Sequence, residues 1–363
     1  MPMDSEKLLS KTIHFLRFPL IFSVVVSHVH YVGIVINGEA SVQPGMFPIY
    51  DFIYRLIRCE LASLDVSSFF FFAGFLFFYK TNFTLETYAN KLKNRVHTLL
   101  IPYLFWNALA LVLMLLANVF LTQLASGDND SILNKSFTEI LSMFWSYKAD
   151  TPVAGQFWFI RDLMVMGLIS PLLYLLIRYL KWIWVPVMGY CWVAGVPDIA
   201  LGLSFDALFF FSLGAWFSIH KQNFVTLFMP ARKWLLPLFL VLVGVNMVLW
   251  YQRLIVAYNI VHNINVLVGM AMVFGWVARG IELSKLKTND VIWGSTFFVY
   301  ASHFLLVVFS LKVWLKLCYP VNETMLIVGY FLIPLVVTAV GIGTYQLLKK
   351  IMPRFTAVIT GGR

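Results

Sequence analysis

Arg17 and His28 stand eleven residues apart in an otherwise apolar run, Phe15-Leu-Arg17-Phe-Pro-Leu-Ile-Phe-Ser-Val-Val-Val-Ser27-His28. Eleven residues is close to three α-helical turns, so one helix face carries both side chains, about 16 Å apart along the axis. Arginine is a permanent cation, and histidine is the side chain that exchanges its proton near neutral pH. A cation at an inner mouth and a base deeper in suit a route by which an anionic donor enters from inside and reacts at membrane depth. The plainer readings are an arginine reaching back to the interface and a histidine bonding a neighbouring helix. Asp65 lies about one turn inside the outer boundary of the next apolar run. That depth matches His28, and a carboxylate there would orient the imidazole; it reads equally as an interfacial carboxylate facing water. His30 points elsewhere on the helix and reads as structural.

The elements that must position these groups follow from composition. Of 363 residues, 60% are apolar, 17% aromatic and 12% charged, where a soluble domain carries about 25% charge. Too few polar side chains exist to cover a water-facing surface, which excludes soluble, disordered, fibrous and disulfide-stapled proteins. The apolar runs are continuous rather than alternating, which excludes an outer-membrane barrel. The fold class is therefore all-α: a polytopic transmembrane helical bundle. With roughly 20 apolar residues per crossing, about ten spans are expected, at 15–36, 61–79, 98–121, 157–178, 181–197, 204–219, 233–250, 261–279, 291–313 and 325–348. The fifth and sixth are short and joined by a Gly/Pro-containing turn, so they read as tilted, broken or re-entrant segments.

Lys and Arg number 27 and the net charge is +10. With the N-terminus inside, 18 of them fall in inner segments and 7 in outer ones, with Arg17 and Arg161 inside spans. This bias predicts that both termini are cytoplasmic, and it explains the positive charge without a nucleic-acid partner. The N-terminus lacks a cleavable signal pattern, so the first span is expected to stay as a helix. Cys59, Cys191 and Cys318 are scattered, with no disulfide framework and no metal-ligand spacing. The longest loop, 122–156, lies outside and carries Asp128, Asp130, Glu139 and Asp150; its stretch Phe137–Tyr147 fits a short interfacial helix. No linker or strong repeat interrupts the chain, so residues 1–363 are expected to be a single membrane-embedded domain.

The ordered motifs resemble the acyltransferase-3 family of integral-membrane acyltransferases, which includes bacterial surface-polysaccharide O-acetyltransferases. They begin with Arg17 and His28, followed by a Phe-rich run ending in a small residue, Gly and an aromatic (Phe69–Phe75). A basic segment then leads to Ile-Pro-Tyr and Trp (Lys91, Lys93, Arg95, Pro102, Tyr103, Trp106). Gln156-Phe-Trp158-Phe159 opens a span that later reads Ser170-Pro171, and Tyr300-Ala-Ser-His303 falls in a late span. The chain departs from the family pattern at Ala73, where Ser is common, and at Ser67, where Pro or an acidic residue is common. Its basic segment has Lys91, Lys93 and Arg95 in place of paired arginines.

The resemblance implies transfer of an acyl group, commonly acetyl, from cytoplasmic acyl-CoA (acetyl-CoA) to a sugar hydroxyl of a surface glycan or lipid-linked saccharide, with no permanently bound cofactor and no metal. It makes His28 the base, acting directly or through an acyl-His intermediate. Arg17 would steer the donor, Asp65 would support His28, and Lys91, Lys93 and Arg95 would grip the coenzyme A phosphates. These last three also read as an ordinary positive-inside loop. Trp158, Arg161 and His303 would contact the acceptor, although Trp158 and Arg161 also fit an aromatic-belt interface. Asp206, Asn246, Asn263 and Asn265 would line the cavity or bond neighbouring helices, with His262 at the outer interface. The implied partners are acyl-CoA, a glycan or glycolipid and the bilayer, with homo-oligomers possible. The implied location is the bacterial cytoplasmic (inner) membrane, as a multi-pass protein. A glycan or lipid transporter or flippase without acyl-transfer chemistry is the rival from another class; such folds often carry inverted repeats, and none is evident here. An acyl-CoA-sensing or structural subunit is a third reading.

Overall fold

The computed structural model describes residues 3–36, 39–40, 42–120, 135–146, 151–200 and 202–362. Among the described residues the regular structure is helical apart from a two-residue antiparallel ladder, Val35–Ile36 with Glu39–Ala40, and an isolated bridge between Ala200 and Leu203. Helix α1 runs Ser5–Ser27, α2 Pro48–Arg55, α3 Asp65–Phe78, α4 Leu85–Arg95 and α5 Ile101–Phe120. They are followed by α6 Phe137–Met143, α7 Trp158–Leu168, α8 Ser170–Leu180, α9 Trp184–Val193 and α10 Phe205–Ile219. The rest are α11 Phe224–Tyr251, α12 Ile255–Glu282, α13 Asp290–Gly294, α14 Thr296–Leu317, α15 Glu323–Ile351 and α16 Pro353–Thr360.

Among the described residues, seven helices are long and apolar enough to cross a membrane, or eight if the bent pair α7–α8 is one span. The ten expected spans are reduced for local reasons. The fourth breaks by 66° between α7 and α8, where Pro171 removes an amide donor. The fifth is a ten-residue helix. Gly195 ends it in the left-handed region at φ 66°, with Val196 N–H donating back to the Cys191 carbonyl at 3.0 Å. The sixth, α10, has 15 residues, short of a full crossing. The first span also shifts: the helix covers Ser5–Ser27 rather than 15–36. Its leading turns carry Lys7 and Lys11, and its end gives way to the short ladder. The interfacial helix expected in the long loop appears as α6, closed by a reciprocal Ser136–Glu139 cap. Asp128, Asp130 and Asp150 lie outside the described residues.

Contacts divide the chain into two compact units, Met1–Leu20 with Cys59–Asn94 and Asp162–Trp293, and Ile21–Arg58 with Arg95–Arg161 and Gly294–Arg363. In the first, α3 and α10 approach closely. A Cβ on Gly74 would sit 1.9 Å from the Phe211 carbonyl oxygen, and one on Gly214 would sit 1.9 Å from that of Phe71. Around this crossing Phe71 meets Phe224 edge-on at 5.0 Å and Phe72 stacks on Phe274 at 4.9 Å. Helices α11 and α12 pack along each other beside them. In the second unit α14 packs on α15 and α16 on α5, with Trp106 Nε1 donating to the Ile359 carbonyl at 3.0 Å. Tyr31, Tyr50 and Tyr330, all buried, form its aromatic centre.

Candidate active site

The second unit brings two imidazoles into contact. His28 directly follows the last residue of α1, and its amide still donates to the Val25 carbonyl at 3.2 Å, so the chain is held in a helical turn. The His28 ring is half-buried. It lies 5.0 Å from the ring of His303 and meets Phe304 edge-on at 5.3 Å.

His303, on α14, is fully buried. Its Nδ1 lies 2.5 Å from the Tyr300 carbonyl oxygen. A carbonyl only accepts, so Nδ1 carries the proton, and in the neutral ring Nε2 is left with a lone pair. Among the described residues Nε2 has no hydrogen-bond partner. A buried acceptor without a partner is costly and calls for an explanation; at a reaction centre it is a base positioned to receive a proton.

The surrounding chain fixes His303. The Tyr300 hydroxyl donates to the Gln156 carbonyl at 2.7 Å, and Gln156 Nε2 donates to the Ala301 carbonyl at 2.8 Å. These bonds clamp the one-turn helix Gly155–Phe157 to the stretch of α14 that bears His303. Asn107 of α5 anchors the approach to it, accepting from the Ala154 amide at 2.9 Å. Gln156 Oε1 is buried and, like His303 Nε2, has no partner among the described residues.

The sequence profile of the acyltransferase-3 family, described as an acyltransferase domain, matches residues 11–345. The chain belongs to this family. It is also similar to the succinoglycan biosynthesis protein ExoH of Rhizobium meliloti (strain 1021), with 26% identity over 377 aligned positions covering 99% of this chain and 94% of that protein. No solved structure matches it. With its apolar helices, membership makes the chain a multi-pass membrane acyltransferase.

The other residues singled out in this acyltransferase's sequence are spread over both units. Arg161 is buried in the same unit as the imidazoles. It donates to the Trp145 carbonyl at 2.9 Å and lies over the Trp145 ring, which braces the segment after α6. Trp158 is half-buried at the start of α7, and Arg95 ends α4. Arg17, Asp65, Lys91 and Lys93 belong to the first unit. Arg17 is the thirteenth of the 23 residues of α1 and is exposed, so it stands mid-helix rather than at its inner end. Asp65 is buried at the start of α3 and accepts from the Val66 amide at 2.6 Å. Lys91 Nζ lies over the Phe77 ring, and Lys93 is exposed. His30 stacks on Tyr54 at 4.3 Å, a packing role.

Glu60 is the residue that sequence reasoning missed. It lies in a π-helical segment, Leu56–Leu61, between α2 and α3, and is fully buried. Asn246 Nδ2 donates to it at 2.7 Å, Asn265 Nδ2 and the Tyr258 hydroxyl each at 3.3 Å. His262 Nδ1 stands 3.8 Å away. Of the asparagines that read as cavity-lining or helix-bonding, Asn246 and Asn265 bond helices through this carboxylate, and Asn263 does so by donating to the Trp192 carbonyl at 3.3 Å. The available signal was a carboxylate beside an apolar run in a chain with several Asn inside later spans.

Proposed function

We propose that this acyltransferase moves an acetyl group from acetyl-CoA, presented at the cytoplasmic face, to a sugar hydroxyl of a surface polysaccharide or its lipid-linked precursor. The observation that carries the reading is the His28–His303 contact, with one imidazole fixed by Tyr300 in the tautomer whose Nε2 accepts a proton. The similarity to a succinoglycan biosynthesis protein supports a glycan acceptor.

In this reading His28 removes the acceptor hydroxyl proton as the oxygen attacks the thioester carbonyl. The new bond is oxygen to acyl carbon, and the bond broken is sulfur to acyl carbon. The proton passes to the departing thiolate, leaving free coenzyme A. His303 Nε2 takes or shares the proton at the second imidazole, and two adjoining rings spread a charge that one buried ring would bear alone. Asp65 would steady His28, Arg17 would guide the donor, and Lys91, Lys93 and Arg95 would engage its phosphates. Trp158 would offer an apolar face to the sugar and Arg161 would shape the acceptor side. The expected setting is the bacterial cytoplasmic membrane.

Purified protein supplied with radiolabelled acetyl-CoA and an oligosaccharide acceptor tests this. Label should move to the oligosaccharide with the wild type and not with His28→Ala. Acceptor translocation without acyl transfer would instead favour a transporter.

A further inference from the structure

A concavity that mixes apolar surface with cationic and hydroxyl groups lies wholly within the first unit, where the leading turns of α1 meet the segment that follows α12. It is a cavity of about 330 Å³ whose lining includes Lys11, His14, Phe15, Ser284, Lys287 and Thr288. Lys11, His14 and Phe15 fall on one face of α1 by their three- and four-residue spacing. The opposite wall is held by a tight turn. Ser284 adopts φ 57°, and the amides of Lys285 and Leu286 both donate to the Gly280 carbonyl, at 2.9 and 3.2 Å. Gly280 lets the Leu286 side chain pack close, since a Cβ there would come within 2.6 Å of it. The aromatic side is rigid as well: Trp293 packs on Phe15 at 5.4 Å and donates its Nε1 hydrogen to the Phe15 carbonyl at 2.9 Å.

This combination has a chemical meaning. Two ammonium groups and two hydroxyls are phosphate-binding groups. A braced aromatic ring beside them offers a stacking face to a planar base. The volume is at the small end of ligand pockets, roughly 300–1,000 Å³, which suits one nucleotide unit rather than a whole acyl donor. A lipid phosphate would use the cations but has no planar group for Phe15.

We infer that this cavity binds the adenosine 3′-phosphate end of coenzyme A, with Lys11 and Lys287 on the phosphate and Phe15 against the adenine. The inference rests on acyl-CoA being the donor and adds a site outside the basic segment Lys91–Arg95. Lys11 and Lys287 are exposed, so neutralising them leaves the packing intact.

Calorimetric titration of the full-length protein in detergent tests it, with coenzyme A and dephospho-coenzyme A as probes. The double variant Lys11→Gln with Lys287→Gln should bind coenzyme A roughly tenfold or more weakly, while its affinity for dephospho-coenzyme A stays within about twofold of wild type. Phe15→Leu should weaken both probes. A double variant that binds coenzyme A as the wild type does overturns the inference alone, as does an equal loss for both probes. Unchanged coenzyme A affinity with lost binding to phosphatidylglycerol nanodiscs would reassign the cavity to a lipid phosphate. A wild type that binds no coenzyme A overturns the donor reading, and this inference with it.

Discussion

At the scale of single residues, the chemistry depends on where two protons sit. The Tyr300 carbonyl forces the proton of neutral His303 onto Nδ1, so its Nε2 is the basic nitrogen whatever the state of His28. His303→Gln keeps much of the volume and a donor for that carbonyl but removes the basic nitrogen. Acyl transfer should fall by roughly a hundred- to ten-thousand-fold, the range of general-base effects, with coenzyme A binding and thermal stability close to wild type. A variant with normal turnover would reduce His303 to packing. His28 was legible from the sequence because its spacing from Arg17 is local and the helix that makes spacing meaningful continues to Ser27. The partnership with His303 was not, since no local pattern links residues 275 positions apart. Glu60 was hidden for the same reason: its donors lie 186 to 205 positions further along the chain. A carboxylate before an apolar run looks interfacial until those helices close over it.

At the scale of elements, boundaries depended on turn chemistry. Apolar content located nearly every helix, but Gly195 and Pro171 decided that one segment stops after ten residues and another bends. The start of α1 was missed because Ser5 to His14 carries charges and reads as flanking sequence, although Leu8, Leu9 and Ile13, with Thr12 bonded to the Leu8 carbonyl, are buried. Gly74, the glycine of the Phe69–Phe75 motif, proves to be half of a pair with Gly214. Both would drive a Cβ into main chain rather than into a movable side chain. Gly74→Ala should therefore destabilise by about 3 kcal/mol or more, seen as a lower melting temperature in detergent and reduced yield. Gly244→Ala, where nothing lies within 4 Å of the added carbon, is the control and should be near neutral or slightly stabilising. Equal behaviour of the two variants would contradict the close crossing.

At the scale of the molecule, the charge bias predicts both termini in the cytoplasm, an expectation that requires an even number of crossings. Among the described residues, seven long helices make eight crossings if the bent pair α7–α8 counts as one span. Helices α9 and α10, as consecutive short segments, keep the count even whether they enter and return or cross in full. Fluorescent reporters fused to either end should both light in the cytoplasm, and alkaline phosphatase fused there should be inactive; opposite sides for the two ends would contradict the count. Family membership and helical class were both accessible before the structure, because they rest on ordered local motifs and on composition. The division of contacts into two units was not, because it arises from segments distant in the chain. The most direct test of the central claim is the mass of the cell's surface polysaccharide in a strain lacking this protein, complemented with the wild type or with His28→Ala. The account predicts that the wild type restores a fixed acyl increment per repeating unit and that His28→Ala, present in the membrane at equal level, restores none. A full increment with His28→Ala would contradict it.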